Sequence, residues 1–340
     1  MIPPRYLPSI RRNEIAAACL HAQRGESLCF VGMAGVGKSN VVRILRYNDE
    51  IKTQYLGPET KNIHFVVVDG TTWEGTAASL NYLMLTAIDP VMEAKRLTLP
   101  ESKRRYLDET VQLRRQLEES VNLICKQPAT KLVFILDDFD AVMAKGPLPM
   151  LENLSAMRNA ENREKLSYVV ITKRLPHKLA ACFDELRGSK FYDLFKLNIY
   201  ALGPYVREDA LQMMLHANAL AGNPLGRHEL PKLLYLAGNH ARLMKIVFET
   251  WLKQPPPNGN DVVYFSGQPD VRSECQRILN ALHPQEADVA RRFVRDQLTP
   301  ADAPTVQHLV TRGFITDVAR RELFSPLMAE YLNVENGGVS

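Results

Sequence analysis

The chain has 340 residues, of which 46% are hydrophobic and 24% are charged. This composition excludes wholesale disorder, and the length allows about two or three domains. No apolar run approaches the roughly 18 residues that a membrane span needs, and residues 1–14 have prolines and charges where a signal peptide has its apolar core. We therefore expect a cytoplasmic protein with no membrane partner.

The net charge of +4 is unevenly distributed along the chain. Residues 258–340 contain 8 arginines, no lysine and 11 acidic residues, a net charge of −3. The preceding residues carry 34 basic and 27 acidic side chains, which leaves them at +7. Attraction to polyanions is therefore expected in the first three quarters of the chain.

The five cysteines include no C-x-x-C pair, and their number is odd. This usage favours reduced thiols over a disulfide framework or a zinc site. The cysteines are Cys19, Cys29, Cys125, Cys182 and Cys275.

The first 200 residues alternate short apolar runs with amphipathic stretches of helical length. The runs predict buried strands at residues 27–32, 62–70, 131–138, 167–172 and 195–202. The stretches predict helices at residues 38–47, 75–93 and 101–127. Alternation of this kind is typical of βαβ units, so we expect an α/β fold with a parallel sheet.

The strand pattern ends near Pro204. Residues 206–222 and 229–253 predict amphipathic helices, and the Pro/Gly-rich residues 253–260 predict a linker. Residues 270–340 then predict three helices and a hairpin near residues 313–324, the order of a winged helix. These breaks divide the chain into an α/β core (1–204), a helical lid (205–257) and a winged-helix domain (258–340).

A glycine-rich loop after the first predicted strand matches G-x-x-x-x-G-K-[ST]. Its glycines allow backbone N–H groups to turn towards phosphate, and the helix that follows adds its positive N-terminal end. Lys38 is expected to reach the β- and γ-phosphates, and the Ser39 hydroxyl to bind Mg²⁺. The predicted nucleotide-binding residues here are Gly32, Met33, Ala34, Gly35, Val36, Gly37, Lys38, Ser39 and Asn40.

An acidic pair ends the apolar run at residues 132–136. Ligands bind at the carboxyl ends of strands in open α/β sheets, which makes Asp137 a candidate for holding Mg²⁺. Asp138 is a candidate general base that polarises the attacking water. The nearby Asp140 is better explained as a helix cap or loop charge.

ATP is favoured over GTP as the nucleotide. Guanine is generally bound through N-K-x-D or T-K-x-D, and here Thr172-Lys173-Arg174 is followed by Leu175 in place of the aspartate. Thr172 and Arg174 lie at a strand tip where ASCE-type ATPases, in which an extra strand separates the phosphate-loop strand from the acidic strand, carry a γ-phosphate sensor. A surface basic cluster is the alternative explanation of this segment.

Together these motifs resemble those of the STAND ATPases, the signal-transducing, AAA-like P-loop proteins that include NB-ARC domains. They are similar more distantly to origin-recognition ATPases. The segment Arg12-Asn13-Glu14 is similar to the Arg-x-Glu that opens many such domains, and the segment around Pro204 to one that packs near adenine. Arg242 follows Gly238 where origin-type relatives carry a sensor arginine, although Ala241 replaces the proline of the STAND G-x-P motif. A helix-surface arginine is the alternative for Arg242.

The resemblance implies an ATP- and Mg²⁺-dependent switch that forms a homo-oligomer or a complex with a sensor or effector protein. A DNA-acting ATPase and an interaction module that binds nucleotide without turnover are the alternatives. The predicted third helix of the winged-helix domain offers few cations, so we favour packing over DNA binding for that domain. The presence of Arg320 and Arg321 near the predicted wing favours DNA binding instead.

Overall fold

The computed structural model describes residues 5–99, 108–176, 189–226, 228–257 and 261–334. The chain divides into two compact units. The sheet unit comprises Asn13–Val31 and Ser39–Tyr200, and the loop-and-helix unit comprises Met1–Arg12, Gly32–Lys38 and Ala201–Ser340. Within the described residues, no helix is both long and apolar enough to span a bilayer. The three-domain division stays a prediction.

A five-stranded sheet forms the centre of the α/β fold, with the strand order β2-β3-β4-β1-β5. Strand β4 pairs in parallel with β1 on one side and with β3 on the other. The strand that leads into the glycine-rich loop is therefore separated by one strand from the acidic strand β3, as the ASCE pattern predicts. The strands are β1 Leu28–Gly32, β2 Ile63–Asp69, β3 Lys131–Asp137, β4 Leu166–Thr172 and β5 Ile199–Leu202.

Burial explains why the central strands read as continuous apolar runs. Every residue of β1 and β4 is buried, and so are the five residues of β3 between Lys131 and Asp137. Strands with both faces covered need apolar side chains at every position, which removes the alternation of half-exposed strands. The helices of the sheet unit are α1 Arg12–Arg24, α2 Lys38–Tyr47, α3 Asp49–Leu56, α4 Ala77–Ala94, α5 Glu109–Lys126, α6 Asp140–Lys145, α7 Leu148–Ala156 and α8 Lys190–Asp193.

Among the described residues from Arg207 onwards, the loop-and-helix unit has one antiparallel hairpin, β6 Ile315–Asp317 with β7 Glu322–Leu323, and its other regular elements are helices. The hairpin lies where the sequence predicts one, between a third helix and a last helix. Its assignment to a winged helix stays a prediction. The helices are α9 Arg207–Leu220, α10 Glu229–Ala237, α11 Ala241–Lys253, α12 Asp261–Ser266, α13 Pro269–Asn280, α14 Pro284–Val294, α15 Ala303–Thr311 and α16 Pro326–Val334.

Two predicted elements differ from the structure. The last strand of the sheet begins at Ile199 rather than at residue 195, because Phe195 continues a turn in which its N–H donates to Tyr192. The predicted helix 229–253 is two helices, since Gly238 adopts the left-handed conformation with φ 58° and ends α10. Of the helix predicted at 101–127, residues 101–107 lie outside the described residues.

Gly238 provides a test of close packing at this break. A Cβ at Gly238 would overlap the carbonyl oxygen of Phe324, whereas a Cβ at Gly57, which has nearly the same φ of 55°, would meet no atom within 4 Å. We expect Gly57→Ala to lower the free energy of unfolding by about 1–3 kcal/mol through backbone strain alone, because its φ of 55° and ψ of −133° lie in a region that L side chains rarely adopt. We expect Gly238→Ala to cost at least about 2 kcal/mol more through overpacking, measured by urea denaturation. Equal losses in the two variants would contradict this packing.

Candidate functional site

The glycine-rich loop leaves β1 at Gly32 and enters α2 at Lys38. Gly35 and Gly37 have φ values of 78° and 104°, a region that favours glycine. A Cβ at Gly37 would stand 2.5 Å from the Tyr205 hydroxyl, so glycine is also required there by contact. The sequence prediction of a tight phosphate loop is consistent with these backbone angles.

Two carbonyl groups of this loop accept hydrogen bonds from the turn between α10 and α11. The His240 Nε2 lies 2.9 Å from the oxygen of Ala34, and the backbone N–H of Arg242 donates to Gly35 at 3.1 Å. In a trans peptide the N–H and C=O point in opposite directions. The N–H of Gly35, which shares a peptide with the Ala34 carbonyl, is therefore directed away from this turn.

His240 is fully buried and its tautomer follows from its two partners. It caps α11, where Nδ1 accepts from the backbone N–H of Leu243 at 3.3 Å. Nε2 must then carry the proton that it donates to Ala34. Burial, opposed by the hydrogen bond to Ala34 and assisted by the nearby charges of Arg277, Lys38 and Arg11, lowers the pKa of His240 to about 3. The imidazole is therefore neutral at ordinary pH.

Arg11 binds the next part of the loop. Its guanidinium donates to the carbonyl oxygens of Val36 and Gly203, each at 2.8 Å, and lies 3.9 Å from the centre of the Tyr205 ring. Its backbone N–H donates to the buried Asp209 at 3.0 Å. Arg11 therefore joins the loop to the segment that precedes α9.

The sequence resemblance gives Arg12 as a nucleotide-binding residue, and that role stays a prediction. Arg12 is exposed, whereas Arg11 is only 4% exposed and makes the contacts just described. Arg12 begins α1, and two neighbouring positions at a helix start face different directions. The adjacent arginines gave the sequence no signal for choosing between them.

Lys38 is 7% exposed and folds back over its own loop. Its Nζ donates to the carbonyl oxygens of Gly32 and Met33 at 3.1 and 2.9 Å. Pro204 also lies in this unit, where its Cδ would be 2.9 Å from a Cβ on Gly313. The sequence resemblance implies that Pro204 packs near the adenine, and this position stays a prediction.

In the sheet unit, the strand register places the predicted residues Asp137 and Thr172 at the carboxyl end of the sheet. Asp69 of β2 is level with Asp137 of β3, and Val31 of β1 is level with Thr172 of β4. The carboxyl ends of parallel strands share an edge, so Asp137 lies at the end of the sheet where ligands bind. Within α2, Ser39 is exposed and Asn40 is buried.

Asp138 has a left-handed φ of 46°, and its carboxylate lies 3.0 Å from the ammonium of Lys173. Its N–H donates to the Asp137 carboxylate at 3.0 Å. Lys173, which the sequence explained only as part of a basic cluster, is therefore paired with an acid at the β4 tip. The general-base role of Asp138 stays a prediction.

Asp140 is a structural residue of this tip, as the sequence favoured, although Phe139 and not Asp140 is the N-cap of α6. Its carboxylate accepts from the backbone N–H groups of Lys173 and Arg174 at 2.9–3.2 Å. Thr172 is fully buried, and its hydroxyl donates to the Arg174 carbonyl at 2.7 Å. The sensor roles of Thr172 and Arg174 stay predictions.

Magnesium fits the donor set of the sheet unit by its chemistry. Ser39 offers a hydroxyl and Asp137 a carboxylate, both hard oxygen ligands that Mg²⁺ prefers. The described residues contain no group of three or more His, Cys, Asp or Glu that could hold a metal by themselves. Mg²⁺ is usually bound by one or two protein oxygens together with substrate phosphates, so two ligands are sufficient.

Comparisons with known proteins identify the class of fold. No protein-family model and no curated protein matches the sequence. The chain is similar in structure to a Walker-type ATPase of Pyrococcus abyssi, with a TM-score of 0.56, 13% identity, and 97% of this chain and 98% of that chain covered. It is also similar to the ORC2 protein of Aeropyrum pernix in ADPNP-ADP complexes, with a TM-score of 0.50, 9% identity, and coverage of 99% and 97%.

At these identities the similarity concerns the fold alone. It confirms the predicted α/β fold with a parallel sheet. The finer STAND or NB-ARC subtype is not confirmed by it.

The two adjacent arginines provide a matched test of the site. Arg11→Ala removes two charge-assisted hydrogen bonds and the stacking on Tyr205, so we expect it to cost about 2–4 kcal/mol of unfolding free energy. Arg12→Ala removes an exposed side chain and is expected to change the stability by less than about 0.5 kcal/mol. Thermal and urea denaturation measure both, and an Arg12→Ala loss as large as that of Arg11→Ala would contradict the placement.

His240 predicts a pH dependence of stability. Its pKa is near 3 in the folded chain and about 6.5 when unfolded, so between these values the unfolded state binds the extra proton. Stability is complete above pH 6.5 and falls as the pH is lowered. Relative to His240→Gln, the wild type should lose about 2 kcal/mol between pH 7 and pH 5. Parallel stability curves for the two proteins would contradict this prediction, because they would show that folding leaves the pKa of His240 unchanged.

Proposed function

We propose that this protein binds ATP with Mg²⁺ and hydrolyses it slowly as a molecular switch. The observation that carries the proposal is the loop from Gly32 to Lys38, whose carbonyl groups are bound by residues of its own unit. The held carbonyls of Ala34 and Val36 direct the N–H groups of Gly35 and Gly37 to the opposite side, which is how backbone nests bind phosphate. The likeness to a Walker-type ATPase supports the same activity.

The proposed roles of the side chains follow from their chemistry. Lys38 exchanges its contacts with the loop carbonyls for phosphate oxygens, to which an ammonium binds as a point charge. Ser39 and Asp137 hold Mg²⁺, which supplies charge neutralisation at the phosphates when it is bound. Asp138 polarises the attacking water, and its ion pair with Lys173 fixes the carboxylate at the strand tip.

The proposed switch rests on the turn between α10 and α11. His240 and Arg242 bind consecutive carbonyls of the phosphate loop, so a nucleotide that reorganises the loop must act on this turn. If a hydrogen-bonded segment can pack in two ways, a ligand that binds one of them more tightly shifts the equilibrium towards it. We propose that ATP and ADP favour different states, and that the state controls homo-oligomer formation or binding of a sensor or effector protein in the cytoplasm.

Substitution of Lys38 tests nucleotide binding directly. We expect Lys38→Ala to weaken ATP and ADP binding by at least about tenfold and to abolish turnover, because it removes an ammonium group that lies against the loop. Lys245→Ala, on an exposed part of α11, is the control and is expected to bind as the wild type does. Titration calorimetry with Mg·ADP and a phosphate-release assay measure these effects, and equal affinity of Lys38→Ala and wild type would remove the proposal.

A DNA-acting ATPase is the second candidate, because the chain is similar over nearly its whole length to the ORC2 protein. The third helix of the proposed winged helix argues against DNA binding there. Thr305 and Arg312 are buried, and Arg312 is paired with the buried Glu286 at 2.9 Å. An anisotropy titration of duplex DNA at low salt with ATP tests this candidate, and absence of binding would exclude it.

A further inference from the structure

A buried carboxylate lies beside the phosphate loop in the loop-and-helix unit. The side chain of Glu274, on α13, is only 2% exposed. It accepts two hydrogen bonds from the guanidinium of Arg277, at 2.6 and 2.8 Å. It also lies 3.3 Å from Nε of Arg242 on α11. One carboxylate therefore holds two arginines from different helices.

This cluster is in contact with the loop at Gly35. A Cβ on Gly35 would stand 2.5 Å from Nη2 of Arg277, 2.7 Å from Oε1 of Glu274 and 2.8 Å from Cε1 of His240. Such distances mean that the three side chains reach the glycine backbone itself. Arg277 is thus a cation in contact with the glycine-rich loop, although Arg277 lies about 240 positions after the loop in the sequence.

The charges of the cluster favour an anion. A lone buried carboxylate would be strongly destabilised and would repel phosphate, but Arg242, Arg277 and Glu274 together carry a net charge of +1. Arginine presents a planar fork of donors that matches phosphate oxygens, and a carboxylate on one edge of the fork fixes its orientation. Arg277 is also more closely held than Arg242, whose side chain is 57% exposed and makes one longer contact.

We propose that Arg277 is a further phosphate-binding residue of the nucleotide site and that Glu274 is its positioning residue. The inference rests on the proposed nucleotide binding and extends it to a residue of α13. Arg277 binds an oxygen of the nucleotide's phosphate chain through its guanidinium, while Glu274 keeps the guanidinium against Gly35. No bond is formed or broken by either residue.

The test is ATP affinity of Arg277→Gln, with Arg272→Gln as the control. Arg272 is an exposed arginine on the same helix, so the control makes the same chemical change away from the loop. We expect Arg277→Gln to weaken Mg·ATP binding by about tenfold or more and Arg272→Gln to leave it unchanged. Arg277→Lys keeps the charge without the fork and is expected to show a smaller loss. The melting temperature without nucleotide is measured for each variant, because a merely structural role lowers it and leaves the affinity of folded protein unchanged.

The outcomes separate this inference from the proposed function. A wild type that binds no nucleotide overturns both, whereas wild-type binding that persists unchanged in Arg277→Gln overturns the phosphate role of Arg277 alone. If Arg277→Gln does not fold, wild-type affinity in Arg277→Lys overturns it. Glu274→Gln is expected to weaken ATP binding by less than Arg277→Gln. A rise in affinity would overturn the positioning role, because it would mean that the carboxylate keeps the arginines away from phosphate.

Discussion

The hydrogen bonds that hold the carbonyl groups of the phosphate loop are the constraint on which the rest of the site depends. His240, Arg242 and Arg11 bind three successive carbonyls at 2.8–3.1 Å. A glycine-rich loop is conformationally permissive, so its own sequence allows many shapes. Three donors from outside the loop select one of them. The conformation of the loop is therefore set by the loop-and-helix unit and not by the motif alone.

The charges around the loop are consistent with this view. Arg11 and Lys38 provide positive charge, whereas the buried His240 stays neutral because its pKa is about 3. A neutral imidazole with a fixed tautomer donates one directed hydrogen bond to Ala34 and adds no charge that would need compensation in the interior. The neutral His240 thus fixes the orientation of a loop carbonyl, while Arg11 and Lys38 supply the positive charge. The loop can therefore be rigid and still have a positive electrostatic environment that favours phosphate.

Sequence patterns were sufficient for the fold and for the residues next to each other in a motif. The apolar runs predicted the five strands, because strands that are buried on both faces require such runs. The acidic pair at the end of β3 was also recognised from the sequence. The same patterns missed Arg11, His240 and Arg277. These residues act on a loop from which His240 and Arg277 are separated by more than 200 positions, and no local periodicity records such a contact. Arg11 is buried and Arg12 is exposed, because one step around a helix start exchanges a buried position for an exposed one.

The most direct test of the coupling between the loop and the turn at His240 is hydrogen exchange with and without Mg·ADP. If the loop carbonyls are held by this turn, nucleotide should slow exchange at Ala34–Lys38 and, together with it, in the first turn of the helix Ala241–Lys253. His240→Gln should reduce the second effect while the first remains measurable. Protection confined to the loop, with the helix exchanging equally in both states, would contradict the account.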